Sequence, residues 1–103
     1  MAIAHICEGG QLPNTPTALY TAVNPGSFAV HVSNGANVRV VNIYVNPGTR
    51  RRISPRNLSL QVGAAWPANS PYGPIHLAAG DSIDGDADAA TEVDWVITGI
   101  EKS

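Results

Sequence analysis

Residues 27–46, SFAVHVSNGANVRVVNIYVN, decide the fold of this chain. Over residues 27–33 large apolar side chains alternate with small or polar ones, which is the period of a half-buried β-strand. Residues 37–46 are apolar on both faces at the centre of the run, which predicts an interior strand. Between the two runs, Asn34-Gly35 predicts a tight turn.

Short β-rich runs separated by Gly, Pro and Asn continue on both sides of this stretch. Further strands are predicted over residues 2–7 (or an N-terminal arm), 17–23, 50–54, 58–62, 75–77, 82–86 and 92–101, with loops over residues 8–16 and 63–73. Eight or nine short strands with turns about every 8–12 residues indicate an all-β chain, folded as an antiparallel sandwich or jelly roll.

The length and composition favour one domain that makes protein contacts. A chain of 103 residues has room for a single domain, residues 1–103. Charged residues are 14% of the chain, below the usual ~25% of soluble domains. Five of the six basic residues are Arg, which is favoured at interfaces over Lys. We therefore expect much of the outer surface to be neutral or covered by a partner.

Neither a leader nor a membrane span is expected from the sequence. The first residues lack a basic segment, and no apolar run approaches ~18 residues. The single Cys7 excludes an intramolecular disulfide and a cysteine-based metal cluster. The expected location is a cytoplasm, or a particle assembled there.

Positive charge is concentrated in one short segment. That basic cluster is Arg50, Arg51, Arg52 and Arg56. No aromatic stacking platform flanks it, and the sequence pI is 5.8, so nucleic acid is not the expected partner. We interpret the cluster as a contact patch for acidic groups of a neighbouring subunit.

Negative charge is concentrated near the end of the chain, in Asp81, Asp84, Asp86, Asp88 and Glu92. A calcium loop would need oxygen ligands at fixed positions, and neither the register from Asp81 nor that from Asp84 supplies them. The run instead predicts a solvated hairpin with one acidic face, and no metal is expected.

The sequence contains no motif that indicates an enzyme or a cofactor site. His5, His31 and His76 lie in or beside predicted strands, without the spacing of metal ligands or of a nucleophile with its base. Together with Cys7 they are interpreted as ordinary structural residues. No catalytic residue and no cofactor are predicted.

Two aromatic residues, Trp66 and Tyr72, lie in the predicted Pro-rich loop of residues 63–73. Such residues usually mark an interface or cap the end of a sandwich, although flat rings can also stack on sugars. Trp95 lies in the middle of a predicted strand and is assigned to the core.

The apolar residues 1–7, which include Ile3 and Ile6, should not be left in water. Burying one Ile side chain gains ~1.5–3 kcal/mol. This segment either adds a strand to its own sheet or reaches a neighbouring subunit as an arm. Both alternatives remain open from the sequence. The closing strand, residues 92–101, is expected at a central position of a sheet.

Five segments in order carry a family resemblance: LYTA (residues 19–22), VRVVNIYV (38–45), ISPRNLSLQVGA (53–64), LAAGDSIDGDAD (77–88) and VDWVITGIE (93–101). In order and spacing they resemble small β-sandwich decoration (cement) proteins, and related head or tail accessory proteins, of tailed bacteriophages. The resemblance implies a virion structural protein that stabilises the head by bridging capsid subunits. It also implies a homo-oligomer, dimer or trimer, bound to the major capsid protein or another virion protein.

Two alternatives stand beside that expectation. One is a neck, tail or fibre accessory protein of a phage. The other is a carbohydrate-binding, receptor-binding module, for which Trp66 and Tyr72 would supply the ring faces.

Overall fold

The structure is a computed structural model that describes residues 3–35, 37–68 and 70–103. The described residues form ten strands and no helix, which confirms the all-β prediction with slightly more strands than expected. The strands are β1 (Ile3–Gln11), β2 (Thr17–Thr21), β3 (Gly26–Asn34), β4 (Arg39–Asn46), β5 (Arg51–Arg52), β6 (Leu58–Leu60), β7 (Ala65–Trp66), β8 (Tyr72–Leu77), β9 (Ser82–Ala87) and β10 (Val93–Lys102). No helix capable of crossing a membrane occurs in this part of the chain.

The strands form two antiparallel sheets packed as a sandwich. Sheet A has the order β1-β10-β3, and both β7 and β8 pair with the far side of β3. Sheet B has the order β2-β9-β4, and both β5 and β6 pair with β4. Each sheet therefore has four strand positions, and the pairs β1–β10, β2–β9 and β3–β8 are nested as in a rolled-up hairpin. This is the jelly-roll arrangement.

The core lies between the two sheets and is apolar. Sheet A contributes Phe28, Val30 and Val32, which are at most 1% exposed, as the alternation of residues 27–33 predicted. Sheet B faces them with Ile43 and Ile83, both fully buried. Trp95 is 8% exposed and belongs to this core, as expected. Each such side chain contributes about 1.5–3 kcal/mol of burial free energy.

Two strands predicted at interior positions lie there. β4 has β9 on one side and β5 and β6 on the other. β10 lies between β1 and β3 along its whole length. Both strands have neighbours on either side, which agrees with their apolar residues on both faces.

The tight turn predicted at Asn34-Gly35 does not join a hairpin, because β3 and β4 belong to different sheets. The side chain of Asn34 is buried, and its Nδ2 donates to the Leu60 carbonyl at 2.8 Å. Its backbone N–H donates to the Ala64 carbonyl at 2.9 Å. Asn34 thus anchors the β6–β7 connection to the end of β3. Ala36, in the connection between β3 and β4, lies outside the described residues.

The loop predicted over residues 8–16 begins later than expected. β1 continues through Gly9 and Gly10 to Gln11, in register with β10. Glycine suits a close approach at Gly10, since a Cβ there would lie 3.2 Å from Nε1 of the Trp95 indole. The two glycines therefore permit a strand close to Trp95 rather than a loop. Met1 and Ala2 lie outside the described residues.

The two sheets are joined at one end by a buried carboxylate. Glu101 of β10 is 3% exposed and accepts a hydrogen bond from the Tyr20 hydroxyl of β2. It also accepts from the backbone N–H of Val23 at 3.2 Å and of Asn24 at 3.3 Å. Burial, with the hydrogen bond and negative charge of Glu101 added, raises the pKa of Tyr20 to about 12.

This shift predicts a loss of stability in alkali. Folding favours the neutral hydroxyl of Tyr20, so its stabilising contribution is complete below the ordinary tyrosine pKa of 10.0 and is lost as the pH rises towards about 12. We expect the free energy of unfolding, measured in urea, to fall across this range. Tyr20→Phe should remove part of the fall, and an identical pH dependence in the variant would contradict the assignment.

Candidate interaction surfaces

The outer face of sheet B carries a network of polar and charged side chains centred on Asp84. This carboxylate is fully buried although it points away from the core. Its Oδ2 accepts from Arg50 Nε at 2.7 Å and from Asn46 Nδ2 at 3.4 Å, and its Oδ1 accepts from Ser82 Oγ at 2.6 Å. A charge buried on this scale requires such partners.

The ring of Tyr44 lies beside this carboxylate and organises the rest of the network. The guanidinium carbons of Arg50 and Arg52 lie 5.7 and 5.6 Å from the ring centroid, within cation–π range. The Tyr44 hydroxyl donates to Asp86 Oδ1 at 3.3 Å, and Arg52 Nε donates to Asn42 Oδ1 at 3.2 Å. Burial raises the pKa of both Tyr44 and Asp86.

The basic cluster is divided by the fold. Arg50 and Arg52 are engaged with side chains of their own chain, on the outer face of sheet B. Arg51 lies on the opposite side of β5, and Arg56 precedes β6; both are exposed. Within the described residues neither of these two makes a hydrogen bond or an ion pair through its side chain. The contact patch predicted from the sequence is reduced to Arg51 and Arg56.

The solvated acidic hairpin predicted from the sequence is wrong, because its carboxylates have partners in the chain. Asp88 accepts from the backbone N–H of Val40 at 3.1 Å. Glu92 accepts from Arg39 at 2.7 Å, and this hydrogen bond lowers the pKa of Glu92. β9 lies between β2 and β4, so its outward carboxylates stand among the polar side chains of β4. No group of three or more His, Cys, Asp or Glu side chains suited to a metal occurs in residues 3–35, 37–68 and 70–103.

Trp66 and Tyr72 lie in strands, where the sequence predicted a loop. β7 and β8 pair with successive parts of β3, with Trp66 opposite Val32 and Tyr72 opposite Val30. The two rings stack with centroids 5.5 Å apart and planes 20° from parallel. Trp66 packs on the core, whereas Tyr72 remains 40% exposed. Each ring covers one face of the other, so a sugar could stack only on the ring surface that remains exposed.

The outer face of sheet A is almost free of charge. Alternate residues of each strand point to this face. They are Ile3, His5, Cys7, Gly9 and Gln11 of β1; Asp94, Val96, Thr98, Ile100 and Lys102 of β10; Ser27, Ala29, His31 and Ser33 of β3; and His76 of β8. With histidine neutral, only Asp94 and Lys102 are charged, and they stand at opposite ends of β10. Val96, between them, is 41% exposed.

Sequence reasoning did not single out this face, although the signal was present. The alternation that identifies the buried residues of β3 and β10 also identifies the outward ones. Apart from Asp94 and Lys102 at the two ends of β10, those outward positions hold Ser, Ala, His, Val, Thr and Ile rather than the Lys and Glu of an ordinary solvated strand.

A shallow hollow of about 310 Å³ lies at one end of this face. In it, Ser27 Oγ lies 3.2 Å from His76 Nδ1. A serine nucleophile needs a base that is itself oriented by a third group, together with donors for the oxyanion. His76 is exposed, and no carboxylate among the described residues contacts it. The pair has the geometry of a surface hydrogen bond.

The strand that carries Ile3 and Ile6 pairs with its own sheet, so β1 takes the first of the two arrangements left open by the sequence. The expected burial is nevertheless incomplete. Ile3 is 56% exposed and Ile6 is only half-buried.

No family model, no curated protein and no solved structure matches the chain. The surfaces described above are therefore the basis for assigning its function.

Proposed function

We propose that the chain is a structural protein of a tailed-phage virion, a capsid decoration (cement) protein that stabilises the head by bridging subunits of the major capsid protein. The observation that carries the proposal is the outer face of sheet A, where no full charge stands between Asp94 and Lys102. Depletion of Lys and acidic residues distinguishes the centre of protein interfaces from ordinary surface. A face of this kind is suited to being covered by protein.

The size of this face fits that role. A strand of nine residues is roughly 30 Å long, and four strand positions are roughly 15–20 Å wide. The resulting area, on the order of 500 Å², is a large part of the ~800 Å² that each partner contributes to a standard interface.

The opposite side of the molecule offers less to a partner. On sheet B the charges of Arg50 and Asp84, and those of Arg39 and Glu92, are matched within the chain. The proposal therefore assigns contact with the capsid to the outer face of sheet A. The sugar-binding alternative has weaker support, because the rings of Trp66 and Tyr72 cover one another.

Co-sedimentation of the purified protein with empty, expanded heads of the phage that encodes it tests the proposal. We expect the wild-type chain to bind, and Val96→Asp to bind at least tenfold more weakly, because the interface would bury an unpaired carboxylate. Val62→Asp is the matched control, since Val62 is 56% exposed but lies outside both sheets. Absence of wild-type binding, or equal binding by the two variants, would contradict the proposal.

Arg51 and Arg56, on the sheet B side, give a second test, which asks whether the contact with the capsid also reaches these two exposed charges. The double variant Arg51→Gln/Arg56→Gln should weaken binding to heads at low salt and have less effect at high salt, because exposed charges are screened. Its free energy of unfolding should stay within ~0.5 kcal/mol of the wild type, as for other exposed sites. Unchanged binding at low salt would show that these two side chains are merely solvated.

A further inference from the structure

β1 presents an unpaired row of backbone groups at the edge of sheet A. The backbone N–H of Leu12 donates to the Val93 carbonyl, and that of Lys102 donates to the Pro25 carbonyl. The first bond joins an even-numbered residue of the β1 side to β10, and the second shows that the even-numbered residues of β10 bond to β3 instead. In an antiparallel ladder the bonded residues alternate, so β10 bonds to the even-numbered residues of β1. The remaining N–H and C=O groups point away from the sheet. They belong to Ile3, His5, Cys7, Gly9 and Gln11.

The other edges of the sandwich are short or interrupted. On the far side of sheet A, β7 has two residues and β8 contains Pro74. In sheet B, β2 has five residues with an irregular register, and β5 and β6 have two and three. Short length, a proline and an irregular register each make an edge strand less able to pair with another chain. β1 has nine residues, with neither Pro nor Lys.

The side chains of β1 are also left uncovered. Nearly every residue of the strand is exposed, on both of its faces, and Ile6 is only half-buried. The inward face of β1 is therefore only partly covered by the rest of the sandwich. Glu8 is its one charged residue, and it lies on the inward-facing side. A long, exposed, weakly charged edge strand of this kind is a template for strand addition.

We propose that β1 pairs antiparallel with β1 of a second copy of the chain, so that the two A sheets become one continuous sheet across a twofold axis. Only residues whose backbone groups point outward can pair, so the register must match odd-numbered residues with odd-numbered residues. Only one register pairs all five of these odd-numbered residues, and in it Cys7 lies opposite Cys7 of the second copy. It also places His5 opposite Gly9, and Ile3 opposite Gln11.

This register is compatible with the side chains on both faces. On the inward side, Glu8 lies opposite Ile6 of the second copy, and the two Glu8 side chains are diagonal neighbours about 7–8 Å apart, at the exposed edge, where solvent screens their charges. On the outer side, no two like charges are opposed. Five residue pairs, each exchanging two backbone hydrogen bonds, would form along the interface. Twofold symmetry satisfies both copies with the same surface, whereas a different partner would need an edge of its own that matches this one.

The inference is independent of the virion role, because it concerns the isolated protein in solution. A dimer that binds no phage head would overturn only the proposed function. A monomer that binds heads would overturn only this pairing.

Analytical ultracentrifugation at micromolar concentrations tests the pairing directly. We expect a species of twice the 10.7 kDa chain mass. Diamide, which takes two electrons and two protons from a pair of thiols, should then convert the dimer to a disulfide-linked species. The opposed Cα atoms of such a pair lie about 5.5 Å apart, within disulfide range. Val62→Cys/Cys7→Ser is the matched control, and we expect no rapid cross-link from it.

A mixing experiment tests the register. Ile3→Cys/Cys7→Ser and Gln11→Cys/Cys7→Ser should each give little disulfide alone and should cross-link efficiently when mixed. A wild-type chain that is monomeric throughout the concentration range overturns the proposal. So does a dimer in which Cys7 and the mixed pair cross-link no faster than the control at residue 62.

Cys7→Pro tests the role of the backbone. Proline removes an N–H that points away from β10 and so breaks no bond within the chain. We expect it to abolish the dimer while circular dichroism still shows a folded β protein, and Cys7→Ser to retain the dimer. If Cys7→Pro unfolds the chain, the mixing experiment, which needs no proline, decides the question.

Discussion

Glu101→Ala will lower the free energy of unfolding by about 3 kcal/mol. The substitution removes the acceptor for the Tyr20 hydroxyl and for the backbone N–H groups of Val23 and Asn24. A buried donor without a partner costs about 1–3 kcal/mol. Water that enters the space left by the side chain will accept from some of the three donors, so the total cost stays near the value for one donor. The loss should be measured as a shift in the midpoint of urea unfolding with an unchanged slope.

Two variants make this measurement specific. Glu101→Gln keeps an acceptor oxygen, so it should lose less stability than Glu101→Ala. Asp94→Ala removes an exposed carboxylate from the same strand and should change the free energy of unfolding by less than ~0.5 kcal/mol. If Glu101→Ala were no more harmful than Asp94→Ala, the carboxylate would not be joining the two sheets. The pKa of Tyr20 should also fall towards its ordinary value in Glu101→Ala.

The second large effect is expected at the pair formed by Arg50 and Asp84. Arg50→Met should cost about 2–3 kcal/mol, because it leaves a fully buried carboxylate without its cation. This cost is below the ~3–5 kcal/mol typical of fully buried pairs, because the Arg50 side chain is 38% exposed. Arg51→Met is the matched control, and it should be nearly neutral because Arg51 is exposed and engages no acidic group among the described residues.

A double-mutant cycle then measures the interaction itself. Arg50→Met/Asp84→Asn removes both charges, so it should be more stable than the sum of the two single variants predicts, by at least ~1 kcal/mol. Strict additivity would show that the two side chains do not interact in solution. Urea unfolding of all four proteins supplies the comparison.

Local pattern was sufficient to predict the strands in the middle of the fold. The alternation in residues 27–33 and 93–101 reflects a sheet with one buried face, and the structure buries Phe28, Val30, Val93 and Ile97 accordingly. This information is contained in neighbouring residues, because successive side chains of a strand point to opposite faces. The all-β class followed from it, whereas the central places of β4 and β10 were predicted from apolar residues on both faces of each strand.

Pairing between distant segments could not be predicted in this way. Arg50 and Asp84 are 34 positions apart, and only the jelly-roll order sets them on one face. For the same reason, the sequence suggested a neighbouring copy as the partner of the arginines. The surface that carries the proposed function was missed because its residues are individually unremarkable and come from four strands.

Glycine and proline residues led to loops being predicted where the structure has edge strands. Gly9-Gly10 suggested a loop, but both lie in β1, where small residues permit close contact with Trp95. The prolines of residues 63–73 suggested an irregular loop, but Pro74 is compatible with β8 because that strand has an open side. An edge strand tolerates the missing N–H that an interior strand would not.

The nested pairing of the jelly roll determines the order in which the chain can fold during synthesis. β4 meets β5 and β6 soon after they leave the ribosome, whereas β1 has β10 as its sole pairing partner in the part of the chain that the structure describes. Contacts between segments so far apart in sequence form slowly, since a long loop must close first. Until β10 has been translated, both sides of β1 are therefore open to other chains. β1 is translated first and waits longest for its partner strand, so it is the strand exposed longest to premature association.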